Sequence, residues 1–125
     1  MDEPGSPAVE ELWEEVDRRI SSRLLYPEAR AALAAAGRAG RVDVDALDAA
    51  LAELDRLWSG TEDIELSPEI AARAGDLAQD LALRGGDAVH LATAEAVIDE
   101  DDVVACADVR LADGARALGL AVAGA

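Results

Sequence analysis

The chain has 125 residues, enough for one domain of ordinary size, and 51% of them are apolar, which argues against wholesale disorder. Of those apolar residues 29 are Ala and none is Phe, so the buried faces must be thin. Eleven basic residues, all Arg, stand against 27 acidic ones for a formal net charge of −16, which opposes loose electrostatic attachment to nucleic acid or to an anionic membrane. Nucleic acid is still open as a substrate, because carboxylates that hold divalent cations present local positive charge. A lone Cys (Cys106) excludes an internal disulfide and multi-cysteine zinc patterns, and a lone His (His90) excludes a multi-histidine metal site. No apolar run approaches the ~20 residues of a membrane span, and the acidic N-terminus is the reverse of a secretory signal. A cytoplasmic protein is expected.

In chain order, Ser6-Pro7 supplies an N-cap followed by Pro at the first helical position. Val9, Leu12, Trp13 and Val16 then recur at helical spacing, with glutamates on the wet face. Arg18 to Ser21 is a short candidate strand. Ser22 is a candidate cap for a helix running to about Ala39, with Pro27 in its first turns and Gly37 and Gly40 at its end. A further helix starts at Asp43 or Asp45, carries the stripe Val44, Leu47, Leu51, Leu54 and Trp58, and stops at Ser59-Gly60. Glu62 to Leu66 alternates as a strand does. Ser67-Pro68 repeats the cap signal and opens a helix bearing Ile70, Ala74, Leu77 and Leu81. Arg84-Gly85-Gly86 reads as a break before a helix from about Asp87 to Ile98. Val103 to Ala107 is the strongest strand pattern, followed by a helix near Arg110 to Leu118, Gly119, and a last strand at Leu120 to Ala123. Helices alternating with short apolar strands favour an α/β domain with a parallel sheet.

Most acidic residues sit where solvent is expected, but three break the pattern. Glu28 interrupts an apolar, Ala-rich segment. Asp87 follows two glycines and opens an apolar helix. Asp108 stands immediately after the strand 103–107, and in a parallel sheet the residues past strand C-termini line the ligand crevice. Each has a plain alternative on local features: Asp87 or Asp108 as a helix N-cap, and Glu28 as the ion-pair partner of Arg30 or a neighbouring Arg. Converging carboxylates are the hard oxygen ligands that Mg²⁺ or Mn²⁺ takes. Such metals can activate water and stabilise the leaving oxygen in phosphodiester cleavage. His90, three residues after Asp87 on the same helical side, reads as a structural histidine ahead of a ligand or proton carrier. Thr93 is expected to pack or bond back to its own helix, and Cys106 to behave as a small strand hydrophobe.

The order of these segments resembles the PIN-domain family, especially the VapC-like toxins of type II toxin–antitoxin pairs. Ser21-Ser22-Arg23-Leu24-Leu25-Tyr26-Pro27-Glu28-Ala29-Arg30 is similar to the second acidic motif of that family. Leu83-Arg84-Gly85-Gly86-Asp87-Ala88-Val89-His90-Leu91-Ala92-Thr93-Ala94 is similar to the third, and Val103 to Leu111, a strand ending in Asp108, to the fourth. The resemblance covers nearly the whole chain, residues 1–125, as a single domain. It implies a PIN-like three-layer α/β/α fold with a short parallel sheet, Mg²⁺- or Mn²⁺-dependent endoribonuclease activity, a cognate antitoxin and a possible homodimer. Carried over by position, Glu28, Asp87 and Asp108 are the acidic residues of the metal and catalytic site; Asp87 and Asp108 would hold metal and Glu28 would help position metal-bound water, with Asp113 a weaker candidate for an outer role.

There is one large departure from the family pattern. The family opens with a central strand ending in Asp, then a helix leading to a Glu-Pro-Gly-Ser-like turn, whereas here Glu3-Pro4-Gly5-Ser6 follows almost at once after Met1. The first strand and its Asp are therefore expected to be missing, and Asp2 lies too close to the turn to replace them. Either the true start lies upstream and the enzyme is active, or the chain is an inactive PIN remnant that binds an antitoxin or pairs with itself. Smaller departures are Gly86, where a bulky residue is frequent, and Ala107, where a large residue often precedes the Asp.

Overall fold

A computed structural model describes residues 19–99, 102–105 and 109–123. The helix expected after Ser6-Pro7, and the strand expected to be missing ahead of it, concern residues outside that range. The described elements are β1 (Arg19–Ser22), α1 (Leu25–Arg38), α2 (Val44–Ser59), β2 (Thr61–Ile64), α3 (Pro68–Asp80), α4 (Gly85–Val97), β3 (Val104–Ala105), α5 (Val109–Ala117) and β4 (Val122–Ala123). The fold is α/β, as the alternation of patterns implies. Its strands form two parallel pairs, β1 with β2 and β3 with β4. Arg19 faces Thr61 and Ser22 faces Ile64 in the first pair, and Val104 faces Val122 in the second.

Several boundaries differ from the sequence reading, each for a local reason. Ser22 belongs to β1, buried and paired with Ile64, so it does not cap the following helix as an N-cap residue. Its hydroxyl instead accepts from the Leu24 N–H at 3.2 Å and turns the chain into α1. Pro27 then falls within the first turn, where a missing N–H costs nothing. The second strand stops at Ile64, not Leu66, because the Ser67 N–H bonds back to the Glu65 carbonyl at 3.0 Å and bends the chain toward α3. Leu66 is consequently half exposed. The third strand is described only at Val104–Ala105; Val103 before it is 48% exposed, and 106–108 lie outside the described residues.

The helix ends follow capping chemistry. Asp43 accepts from the Ala46 N–H at 2.7 Å and Ser67 from the Ile70 N–H at 3.2 Å, so both are true N-caps. Helix α1 ends with Gly40 at φ +71, its N–H on the Gly37 carbonyl and the Arg41 N–H on the Ala36 carbonyl, a Schellman closure. Helix α3 closes in the same way through Ala82 at φ +53, with the Leu83 N–H on the Ala78 carbonyl at 3.2 Å. The expected break at Gly85-Gly86 is therefore displaced: the chain turns at Ala82, and both glycines are the first residues of α4.

The core lies where α3, α4 and α5 meet. Ile70, Ala74, Leu77, Leu83, Ala88, Leu91, Ala92 and Ala115 form one buried cluster, with Ile64, Val89, Val104, Leu111 and Val122 packed against it. Half of that cluster is Ala, which is the thin packing the composition implied. Helix α2 is different: none of its residues is buried, and Val44, expected in its apolar stripe, is 73% exposed. It is held to α1 at the periphery, where a Cβ on Gly37 would come within 2.8 Å of Leu47 and Tyr26 stacks obliquely on Trp58 with centroids 5.6 Å apart.

Candidate active site

The first turn of α4 carries Asp87, one of the three candidate acids. Arg84 occupies its N-cap position without a side-chain capping bond, and Asp87 sits in the first turn with an acid's favourable placement near the positive end of the helix. Ala88, Leu91 and Ala92 of this helix are at most 1% exposed, which fixes its position on the core. Residues three apart on a helix are neighbours, so Asp87 and His90 lie side by side. The Asp87 side chain is 23% exposed, yet its Oδ2 atom is buried and has no hydrogen-bond partner; the Arg84 Nε lies 3.4 Å away as an ion-pair contact.

Glu28 comes to this turn from the start of α1. Its Oε1 is hydrogen-bonded to His90 Nε2. An ionised carboxylate only accepts, so the imidazole nitrogen donates. Its Oε2 lies over Gly86, where a Cβ would come within 2.8 Å of it. One carboxylate thus spans the first turn of α4, with an oxygen at each end held by, or fitted to, a residue flanking Asp87.

Measured against the sequence reading, Glu28 reaches the turn that carries Asp87, while Asp108 lies outside the described residues. Among the described residues no group of three or more His, Cys, Asp or Glu side chains is arranged to hold a metal. Two of the plain alternatives are corrected. Asp87 is not an N-cap, because the helix begins two residues before it. Glu28 does not pair with Arg30, whose guanidinium engages the Tyr26 hydroxyl at 3.4 Å. Asp113 is exposed and contacts Arg116 on its own helix at 3.5 Å. Thr93 bonds back to the Val89 carbonyl at 2.7 Å, as expected. His90 is a hydrogen-bonded structural histidine, the reading its sequence favoured, but its partner Glu28 shows only once α1 is placed beside α4. Gly86 registers in the sequence only as a small residue at a position where a bulky one is frequent.

Farther along α4, Arg73 of α3 donates from Nε to Glu95 Oε1 at 2.6 Å and from Nη2 to Oε2 at 2.9 Å. The guanidinium hydrogen bond holds the Glu95 carboxyl below the ordinary carboxylate range against the opposing effect of burial.

Among the described residues the first turn offers two carboxylates, the oxygen chemistry a hard divalent cation takes, though Asp87 is ion-paired to Arg84 and Glu28 is bound to His90. Asp87 Oδ2 is a buried carboxylate oxygen lacking a hydrogen bond, and Glu28 supplies a second carboxylate at the same turn. An α/β fold with parallel strands and this acidic turn defines a class, and the family model for the PIN domain matches residues 1–116. The chain belongs to the PIN-domain family. Within it the chain is VapC-like: Ribonuclease VapC45 of Mycobacterium tuberculosis (strain CDC 1551 / Oshkosh) is 47% identical over an alignment of 125 residues that takes in 97% of this chain and 84% of the relative. Ribonuclease VapC49 of Mycobacterium tuberculosis (strain ATCC 25618 / H37Rv) matches with the same identity and coverage.

Proposed function

We propose that the chain, as a single domain, is a VapC-like toxin whose activity is Mg²⁺- or Mn²⁺-dependent endoribonucleolytic cleavage of RNA. The observation that carries this reading is the acidic first turn of α4, where Asp87 presents a buried oxygen without a hydrogen bond beside the Glu28 carboxylate. Its support from outside the chain is the 47% identity to proteins named as ribonucleases.

In this reading Asp87 and Asp108 hold the metal, with Glu28 close by. A metal held there would supply Lewis acidity to the scissile phosphate and would make water a stronger nucleophile. Glu28 accepts a hydrogen bond from the attacking water and so fixes its direction of approach. Asp87, partly exposed with its Oδ2 atom buried and mounted on a core-anchored helix, would exchange its ion-pair contact with Arg84 for the metal. The partners that follow are RNA as substrate, a cognate antitoxin and a second copy of the chain, in the cytoplasm. No helix among the described residues is long and apolar enough to cross a membrane.

The test is RNA cleavage by the full chain with Mg²⁺, with Mn²⁺ and with chelator, beside Asp87→Asn. Cleavage that requires either metal and falls to background in Asp87→Asn is the expected result. Undiminished cleavage in chelator or in Asp87→Asn would overturn the mechanism. A folded wild-type chain without cleavage under any of these conditions would point to a non-catalytic module that binds an antitoxin or itself.

A further inference from the structure

We propose that His90 is a positioning residue for Glu28, with Gly86 providing the space into which the positioned carboxylate fits. This rests on the metal-dependent nuclease reading of the same turn and assigns a role to the histidine in it.

Glu28 is a long side chain, 44% exposed, and such a carboxylate left to itself samples many rotamers. Arg30, its nearest cation in sequence, is turned to Tyr26. The group that holds Glu28 is His90, whose ring is only 18% exposed. That ring stands on a helix anchored by the buried Ala88, Leu91 and Ala92, so the backbone of His90 starts from a held position. Binding Oε1 to its Nε2 leaves Oε2 over Gly86, beside Asp87.

Gly86 bears on the same carboxylate from the other end. Ala is the better helix residue, and here its methyl would occupy the space in which Oε2 lies. A histidine serving only to fill volume would need neither a carboxylate partner 62 residues away in the chain nor a glycine one turn before it. The two features share one consequence, a Glu28 carboxylate of set orientation. Residues that orient a ligand set from behind are worth about 10- to 100-fold in metal affinity or activity.

The experiment measures Mn²⁺ affinity of the full chain from the paramagnetic resonance of unbound Mn²⁺, with RNA cleavage and the thermal midpoint measured alongside. His90→Phe keeps the ring volume and removes the donor; it should weaken Mn²⁺ binding about 10-fold. His90→Gln returns an N–H near the Nε2 position and should recover most of that loss. In a Glu28→Gln background, adding His90→Phe should change the affinity by less than about twofold, because the group being positioned is already altered.

Unchanged Mn²⁺ affinity in His90→Phe, or an equal loss with and without Glu28→Gln, would overturn the positioning role. Should His90→Phe fail to fold, Gly86→Ala approaches the carboxylate from the other side, and full Mn²⁺ affinity in that variant would overturn the proposal equally. A wild-type chain that binds Mn²⁺ but leaves RNA intact would sink the nuclease reading alone, while the His90–Glu28 cycle still decides the positioning role. A wild-type chain that binds no Mn²⁺ would sink both.

Discussion

Gly86 separates stability from activity at a single position. Its replacement by Ala removes backbone freedom from the unfolded chain and adds a better helix former, together worth up to about 1 kcal/mol in favour of the fold. The added methyl meets the Glu28 Oε2 atom at 2.8 Å, but that atom is the far end of a flexible, partly exposed side chain, so the carboxylate moves and the helix does not. Gly86→Ala is therefore expected to raise or hold the melting temperature while lowering metal-dependent cleavage by about 10-fold, the scale of a disturbed supporting residue. A parallel loss of both would mean that the clash is taken up by the backbone of α4. The acids of this turn were legible in the sequence because each contradicts its surroundings: Glu28 in an Ala-rich helix, Asp87 at the head of an apolar one. The histidine's role was not legible, because a contact across 62 residues depends on how α1 and α4 are packed and leaves no periodic trace in either.

Among the elements, α3 and α4 share the main part of the core, and Arg73 ties them together at their exposed edge through two hydrogen bonds to Glu95. The Glu95 carboxyl titrates below its ordinary 4.5, first because of the hydrogen bond from Arg73 and then, opposed by burial, because of its charge. A carboxyl whose folded pKa is depressed lends stability above its unfolded pKa and loses it as pH falls through the folded value. Arg73→Ala should thus melt somewhat below the wild type at pH 7, and the gap between their melting curves should close as the pH is taken down from about 4.5 through the lower folded value. A gap that stays constant over that range would assign the loss to the packing of the Arg73 stem. Helix starts were readable at this scale because Asp43 and Ser67 bond directly to backbone N–H groups nearby. The stop after α3 was not, since an Ala at φ +53 carries no composition signal, and the adjacent glycines drew the expected break to a place where the helix begins. The pairing of β1 with β2 was beyond the sequence for another reason: parallel strands are joined through whole intervening helices, so no tight turn records their register.

Taken whole, the molecule is an acidic protein proposed to act on a polyanion, and the two facts constrain each other. With a net charge of −16, the chain repels RNA over any distance that salt does not screen, so its general surface cannot supply the affinity that basic proteins draw from phosphate neutralisation. Asp87 and Glu28 add to that repulsion at the turn where the substrate must arrive, unless a divalent cation reverses the local sign. Binding and catalysis should therefore share one requirement. A hydrolysis-resistant RNA followed by fluorescence anisotropy should bind weakly in chelator and at least about 10-fold more tightly with Mn²⁺, with Asp87→Asn removing most of that gain. Monovalent salt in chelator should leave the residual affinity level or raise it slightly, by screening repulsion, where a cation-lined surface would lose affinity steeply. Tight binding in chelator that weakens with salt would instead place the RNA on an arginine surface away from the acidic turn, and would separate where this protein holds RNA from where it is proposed to cut it.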